Sequence, residues 1–159
     1  MAFPSAKYRP LPDGYYRAIG RVVAEAALLE EALRQAIWRV VRGSQSFGRE
    51  EQVLYLTRNI EASELVGILQ RFGKEGAPGG QPDDEFVALL GKIKKAQADR
   101  NALVHGTWMV NFEPPHLMGW TGSVKRKTSI PTEKHIEETA DLFVQLREEL
   151  EQRTHSLES

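Results

Sequence analysis

The sequence predicts an all-α fold, an antiparallel four-helix bundle with a short β-hairpin or irregular loop between the third and fourth long helices. Apolar residues recur at helical spacing in four long segments. Breaks that contain glycine, proline or serine separate those segments. A bundle is the simplest arrangement in which all four apolar faces share one core. At 159 residues the chain is long enough to bury such a core as a single domain.

The first helix is predicted over residues 15–41, where apolar and charged residues occupy different faces. Its end is expected near Gly43 and Ser44. Residues 1–14 contain three prolines and a glycine, so we expect an extended N-terminal arm before the helix. The apolar stripe of this helix is formed by Ile19, Val22, Ala26, Leu29, Leu33, Ile37 and Val40.

The second and third helices are expected on either side of a loop. The apolar period predicts the second helix over about residues 50–72. Residues 73–82, GKEGAPGGQP, are dense in glycine and proline and predict a surface loop. Asp83 is expected to cap the third helix, with Glu85 in its first turn, because acceptors and negative charges favour a helix N-terminus. Gly106 is expected to end this helix.

The chain after the third helix changes its pattern. Residues 107–129 alternate and contain turn residues, which favours a β-hairpin or an irregular loop. Thr132 is the expected N-cap of a fourth helix. We predict one helical domain over residues 15–153 and a flexible tail over residues 154–159. The apolar side of the fourth helix is formed by Ile136, Ala140, Phe143, Leu146 and Leu150.

The composition narrows the classes of function. A net charge of −1 gives the whole molecule no strong attraction to polyanions, so contact with nucleic acid would need a local basic patch. The absence of cysteine excludes disulfides, thiolate zinc sites, thiol nucleophiles and iron–sulfur clusters. No apolar run reaches the roughly 18–20 residues of a membrane span, and we recognise no signal peptide. We therefore expect a soluble, cytoplasmic protein without membrane contact.

The stretch ADRNALVHGTW, residues 98–108, holds the candidate catalytic residues Arg100, Asn101 and His105. On a helix, Asn101 and His105 are one turn apart on the same face. Arg100 lies about 140° around the helix axis from His105, and its long side chain can reach the same surface near a helix end. A neutral-pH proton carrier, an amide and a permanent cation would then share one site.

These three groups suit metal-free cleavage of a phosphodiester. His105 can take the proton of a ribose 2′-hydroxyl or give one to the leaving oxygen, and Arg100 can stabilise the negative charge on the phosphate. One histidine cannot do both in a concerted transfer, so a two-fold homodimer that joins two copies of the site is expected. We expect no cofactor, and no metal site because the other histidines lack ligand spacing. They are His116, His135 and His155.

A second interpretation of the stretch is structural. Arg100 and Asn101 can cap or ion-pair a helix end, and His105 can interact with the negative end of the helix dipole. The chain would then be a non-catalytic binding or dimerisation module for a nucleotide or a protein partner. Residue spacing alone does not decide between the two interpretations.

A helical chain of this length with RNALVHG closing its third helix resembles the HEPN superfamily (higher eukaryotes and prokaryotes nucleotide-binding domains). The hallmark of that family is an Arg, a polar residue and a His separated by four to six residues. The resemblance implies a HEPN-like bundle and a metal-independent endoribonuclease, active as a homodimer, with Arg100 and His105 catalytic and Asn101 supporting them. It also implies a toxin or phage-defence role, in some members beside an antitoxin protein. In the subgroup controlled by nucleotidylation a Tyr follows the His by two, whereas Thr107 stands here, which argues against that control.

Two basic clusters are candidates for RNA binding, KIKK in the third helix and KRK in the loop that follows it. A solvated helix face and an ordinary turn are the alternative interpretations. The residues concerned are Lys92, Lys94, Lys95, Lys125, Arg126 and Lys127.

Glu30 and Trp108 are predicted supporting residues. Glu30 lies nearest the apolar stripe of the first helix and can hold Arg100 or orient His105 if the helices pack closely. Pairing with Arg34 on the same helix is the alternative. Trp108 can stack on a base, or it can belong to the core or an interface.

Overall fold

Four helices and three short strands make up the described parts of the protein, which are residues 10–42, 56–75, 82–120 and 126–155 of a computed structural model. The mostly helical architecture predicted from the sequence is confirmed. The helices are α1 (Asp13–Arg42), α2 (Ala62–Glu75), α3 (Asp84–His105) and α4 (Glu133–His155). The strands are β1 (Thr107–Met109), β2 (His116–Trp120) and β3 (Arg126–Ser129).

The apolar sides of all four helices meet in one cluster of buried side chains. Burying large aliphatic and aromatic groups is the main favourable contribution to folding, at roughly 1.5–3 kcal/mol for each side chain. In α1 the predicted stripe is buried except for Ile19, which is partly buried, and in α4 all five predicted apolar positions are buried. The largest fully buried side chains include Phe143, Leu29, Leu33, Leu65, Leu69, Leu90 and Ile93.

The helices α1 and α4 form the most extensive contact between helices and run parallel. Arg21 near the start of α1 pairs with Glu137 near the start of α4 at 2.7 Å, and Arg39 near the end of α1 donates to Thr154 near the end of α4 at 3.1 Å. The antiparallel arrangement predicted for all four helices is therefore wrong for this pair. A break at residues 58–61 also interrupts the chain where one continuous helix was predicted.

The helices α3 and α4 run antiparallel and are joined by ion pairs at the start of α3. Arg153 donates from Nη2 to Asp83 Oδ1 at 2.6 Å, from Nε to Asp83 Oδ2 at 3.1 Å, and from Nη1 to Glu85 at 2.7 Å. The predicted cap is confirmed, because Asp83 also accepts from the backbone N–H of Phe86 at 2.9 Å. The hydrogen bonds from Arg153, assisted by the N–H of Phe86, hold the pKa of Asp83 below its ordinary value.

Several predicted boundaries need correction. The helix α1 begins at Asp13, inside the predicted arm, because Pro12 supplies the carbonyl to which the Tyr15 N–H donates at 2.9 Å. The predicted loop 73–82 begins later, since α2 continues to Glu75, and residues 76–81 lie outside the described residues.

The last helix is longer than expected. The helix α4 continues to His155, two residues into the predicted tail. Thr154 is buried, and its hydroxyl donates to the Leu150 carbonyl at 2.9 Å, which ties the last turn to the helix. Residues 156–159 of the predicted tail lie outside the described part of the chain.

The segment between α3 and α4 forms a three-stranded antiparallel sheet in the order β1-β2-β3. The predicted hairpin is confirmed, with Trp108 opposite Leu117 in the pairing of β1 with β2. The third strand was not expected, and it places Thr128 opposite Met118. Leu117 is buried, so the sheet packs against the end of α3 and fixes where that helix stops.

Candidate active site

The helix α3 ends one residue before Gly106 and presents Asn101 and His105 to solvent one turn apart. Gly106 ends the helix as predicted, but in extended backbone (φ −72°, ψ 158°) and not in the left-handed conformation of most glycine caps. A Cβ atom at Gly106 would lie 2.4 Å from the Ala102 carbonyl oxygen and 2.6 Å from Leu117 Cδ1. Glycine is therefore required here because a carbonyl of the last helical turn and the Leu117 side chain of the sheet both approach this position closely.

Trp108 fixes the last turn of α3 from the first strand. Its indole Nε1 donates to the carbonyl oxygen of Leu103 at 3.1 Å, which satisfies one of the carbonyls that a helix end leaves unpaired. Its ring meets Tyr15 of α1 edge to face, with centroids 5.8 Å apart. Trp108 is partly buried between these partners, and its contacts support the helix turn that carries His105.

Arg100 is linked to the other candidate residues by a hydrogen bond to Asn101. Its Nη1 donates to the side-chain oxygen of Asn101 at 2.9 Å, so the two polar residues form one unit on the surface of α3. The Nε of Arg100 is buried and has no hydrogen-bond partner among the described residues. Asn101 and His105 line the groove described below, whereas Arg100 is not among the residues that line it.

A groove of about 980 Å³ opens between the end of α3 and the start of α4. Asn101 and His105 lie on the α3 wall, and His135, Glu138 and Thr139 lie on the α4 wall. The rest of the lining is largely apolar and comes from both helices, from β2 and from the segment before α4. Its residues include Leu103, Leu117, Ile130, Pro131 and Leu142.

His135 was considered in the sequence only as a metal ligand, and its place opposite His105 was missed. Thr132 caps α4 as predicted, since its Oγ1 accepts from the His135 N–H at 3.1 Å, and this cap holds His135 in the first turn. Glu138 Oε2 lies 3.9 Å from His135 Nδ1. The position of His135 could have been predicted from the antiparallel pairing of neighbouring helices, because this pairing places the end of α3 beside the start of α4.

The KIKK cluster does not lie at this groove. Lys92 points to the far half of the α3–α4 pair, where its Nζ is 3.9 Å from Glu149. Lys92 lies about 20 Å from His105 along the helix axis, at a helical rise of 1.5 Å for each residue. Lys94 and Lys95 are exposed on α3. The three lysines lie on exposed faces of α3, and their role in RNA binding stays a prediction.

The KRK cluster is only partly described. Lys125 lies outside the described residues, and Arg126 and Lys127 are described by their backbone in β3, opposite Trp120 and Gly119. The cluster was predicted in a loop, and two of its three residues belong to a strand.

Glu30 does not support the candidate residues. Its Oε1 pairs with Arg34 Nη2 on the same helix, as the alternative interpretation had it. The Nε of Arg34 also donates to the Thr57 carbonyl at 3.3 Å, so this pair ties α1 to the turn before α2. The expectation that Glu30 holds Arg100 or His105 is corrected, because its partner lies on its own helix.

Within the described part of the chain, no group of three or more acidic or histidine side chains is arranged to hold a metal ion. His116 stacks on Phe112 with ring centroids 4.5 Å apart, in the connection between β1 and β2. None of the described helices combines the length and the apolar character needed to cross a membrane. Comparison of the chain with protein-family models, with curated proteins and with solved structures finds no match to any of them.

Proposed function

We propose that the groove between α3 and α4 cleaves RNA without a metal ion, through Arg100, Asn101 and His105. The observation that carries the proposal is the placement of Asn101 and His105 on one exposed wall of a groove, with Arg100 hydrogen-bonded to Asn101. The groove volume lies near the upper end of the range of roughly 300–1,000 Å³ found for small-molecule sites. One or two nucleotides of a single strand are therefore the appropriate substrate unit.

The chemistry is a transesterification followed by hydrolysis. A base removes the proton of the 2′-hydroxyl, the 2′-oxygen forms a bond to phosphorus, and the bond from phosphorus to the 5′-oxygen breaks. An acid gives a proton to that 5′-oxygen, which leaves as a hydroxyl. The products are a 2′,3′-cyclic phosphate and a 5′-hydroxyl end, and water then opens the cycle. Arg100, with the amide of Asn101, supplies the positive charge and hydrogen bonding for the phosphate oxygens.

The resemblance to the HEPN superfamily supports the same reaction and extends it. We propose a homodimer in the cytoplasm, acting as a toxin or phage-defence effector, with an antitoxin protein as its regulatory partner. The exposed lysines of α3, at 92, 94 and 95, would add a sequence-independent attraction for the RNA backbone, which salt weakens.

The proposal is tested with purified protein and a mixed RNA in excess chelator. We expect fragments that carry a cyclic phosphate or its hydrolysis product, and we expect His105→Ala to abolish them. His155→Ala is the matched control, because His155 is an exposed histidine at the other end of α4. RNA left equally intact by wild type and by His105→Ala would reject the nuclease function.

The second candidate function is binding without turnover, and the apolar lining of the groove favours it. Ile130 and Leu142 are 52% and 40% exposed, so they give the groove an accessible apolar lining. A partner that covers this lining would make the groove a dimerisation surface. Sedimentation of wild type and Leu142→Glu tests it: a dimer that becomes a monomer only in the variant supports a binding surface, and an unchanged mass rejects it.

A further inference from the structure

We infer that His135 is the second proton-transfer residue of the groove, so that one chain carries both the base and the acid of RNA cleavage. This inference rests on the proposed function. It replaces the need for a second copy of His105 from a partner subunit. The observation that carries it is that His105 and His135 line the same groove from different helices.

The fold places the two histidines in the lining of one groove from distant parts of the sequence. His105 is the last residue of α3, and His135 lies in the first turn of α4. The two helices are antiparallel, as the pairing of Arg153 with Glu85 at their opposite ends requires. Both histidines are exposed, and the side chain of His135 is 67% accessible, so a substrate in the groove can reach both rings.

A carboxylate of α4 lies on the Nδ1 side of the His135 ring. Glu138 Oε2 lies 3.9 Å from Nδ1, and Glu138 Oε1 lies 3.7 Å from Lys134 Nζ. With Nδ1 directed to a carboxylate, Nε2 is the nitrogen left for proton transfer. The Thr132 hydroxyl accepts from the His135 backbone N–H, and the Thr139 hydroxyl donates to the His135 carbonyl at 2.9 Å. These contacts fix the backbone from which the ring projects.

The two histidines then divide the proton transfers. His105, next to Asn101 and Arg100, takes the proton of the 2′-hydroxyl as the 2′-oxygen attacks phosphorus. His135, in its protonated form, gives a proton to the 5′-oxygen as that bond breaks. In the hydrolysis step His135 takes a proton from water and His105 returns one to the 2′-oxygen, so both residues end in their starting forms. The other ionisable groups that line the groove are Asp99 and Glu138.

The deciding experiment compares two substrates with wild type, His105→Gln and His135→Gln. One substrate is an ordinary RNA, and the other carries sulfur in place of the bridging 5′-oxygen at one phosphate, a leaving group that needs no proton. Loss of a general acid lowers cleavage of ordinary RNA by roughly 10²–10⁴-fold. We expect that loss in His135→Gln, with recovery to within about tenfold of wild type on the sulfur substrate. His105→Gln should be defective on both substrates.

Recovery on the sulfur substrate also shows that the variant is folded. The pH profile of wild type on ordinary RNA should be bell-shaped, and His135→Gln should lose its alkaline limb. His155→Gln serves as the control and should match wild type on both substrates. Glu138→Gln should reduce cleavage of ordinary RNA in the same direction as His135→Gln, but less.

The outcomes separate this inference from the proposed function. If wild type cleaves RNA and His135→Gln cleaves both substrates at the wild-type rate, the inference is wrong, and another group supplies the acid. Equal defects of His135→Gln on the two substrates also overturn the role as acid. If wild type cleaves neither substrate, the proposed function and the inference fail together.

Discussion

The indole Nε1 of Trp108 donates a hydrogen bond to the carbonyl oxygen of Leu103, 3.1 Å away, across the junction between β1 and the last turn of α3. The bond joins the sheet to the helix turn that carries His105. Together with the close approach at Gly106, it determines the position of the α3 wall of the groove.

Replacing Trp108 by Phe should remove this bond while keeping an aromatic ring beside Tyr15. We expect a loss of about 1–2 kcal/mol in the free energy of unfolding, the usual cost of a lost hydrogen bond with a partner left unsatisfied. Urea denaturation measures it, and the amides of the last turn of α3 should exchange faster. Phe112→Leu, at a residue half exposed to solvent, should change stability by less than about 0.5 kcal/mol. Equal effects of the two changes would contradict the anchoring role.

Gly106→Ala should destabilise the protein, because a Cβ would overlap the Ala102 carbonyl oxygen and the Leu117 side chain. Relieving such overlap typically costs about 1–3 kcal/mol. Gly91→Ala, in the exposed middle of α3 with nothing within 4 Å of the added atom, is the matched control. It should stabilise the protein by roughly 0.5–1 kcal/mol, because alanine favours a helix. Thermal unfolding of both variants checks the opposite signs, and the same sign for both would contradict the close approach at Gly106.

Asp83→Asn should lower stability near neutral pH and have less effect in acid. Asparagine caps a helix about as well as aspartate, so the change isolates the ion pair with Arg153. The pKa of Asp83 is lowered from 3.8 in the folded protein, mainly by Arg153. Its contribution is therefore fully present above the unfolded pKa of about 4 and is lost as pH falls through the lower folded value. For partly exposed partners we expect at most about 1 kcal/mol.

Urea unfolding of wild type and Asp83→Asn between pH 7 and pH 2.5 tests this dependence. The difference in free energy of unfolding should be constant above pH 5 and should shrink below about pH 4. Asp84→Asn, an exposed acid in the same turn, is the control for a general effect of removing charge. A difference that grows on acidification would reverse the assigned sign.

Phe143→Ala should cost about 3–5 kcal/mol, because Phe143 is fully buried where α4 meets the core. Leu142→Ala, one residue earlier and 40% exposed, should cost less than about 1 kcal/mol. Chemical denaturation of the two variants compares neighbouring positions on one helix. Similar losses would mean that the buried face of α4 is assigned wrongly.

The helices with strong apolar periods were predictable because their packing follows from local sequence. The capping residues Asp83 and Thr132 were correctly assigned, since their hydroxyl or carboxylate acceptors bind N–H groups only a few residues away. The break at residues 58–61 was missed because the apolar period continues through it. There the Thr57 carbonyl accepts from the N–H of Ile60 and from the side chain of Arg34, a contact with a distant helix that no local pattern reveals.

One wall of the candidate site was predicted from the sequence, and the other wall was not. Asn101 and His105 share a helix face, so their common wall follows from a spacing of four. The second wall depends on which helix packs beside α3 and in which direction, and this is a property of the whole fold. His135 was therefore assessed only against other histidines in the sequence. The supporting role predicted for Glu30 was wrong because Arg34, one turn away on the same helix, pairs with its carboxylate.

The ion pairs of Arg153 and Lys92 join α3 and α4 in the half of the pair away from the groove. The helix α3 has 22 residues, a length of about 33 Å at 1.5 Å for each residue. A tilt of about 2° around its Arg153 end would displace its His105 end by about 1 Å. The width of the groove between His105 and His135 therefore depends on ion pairs that lie at the remote end of the two helices.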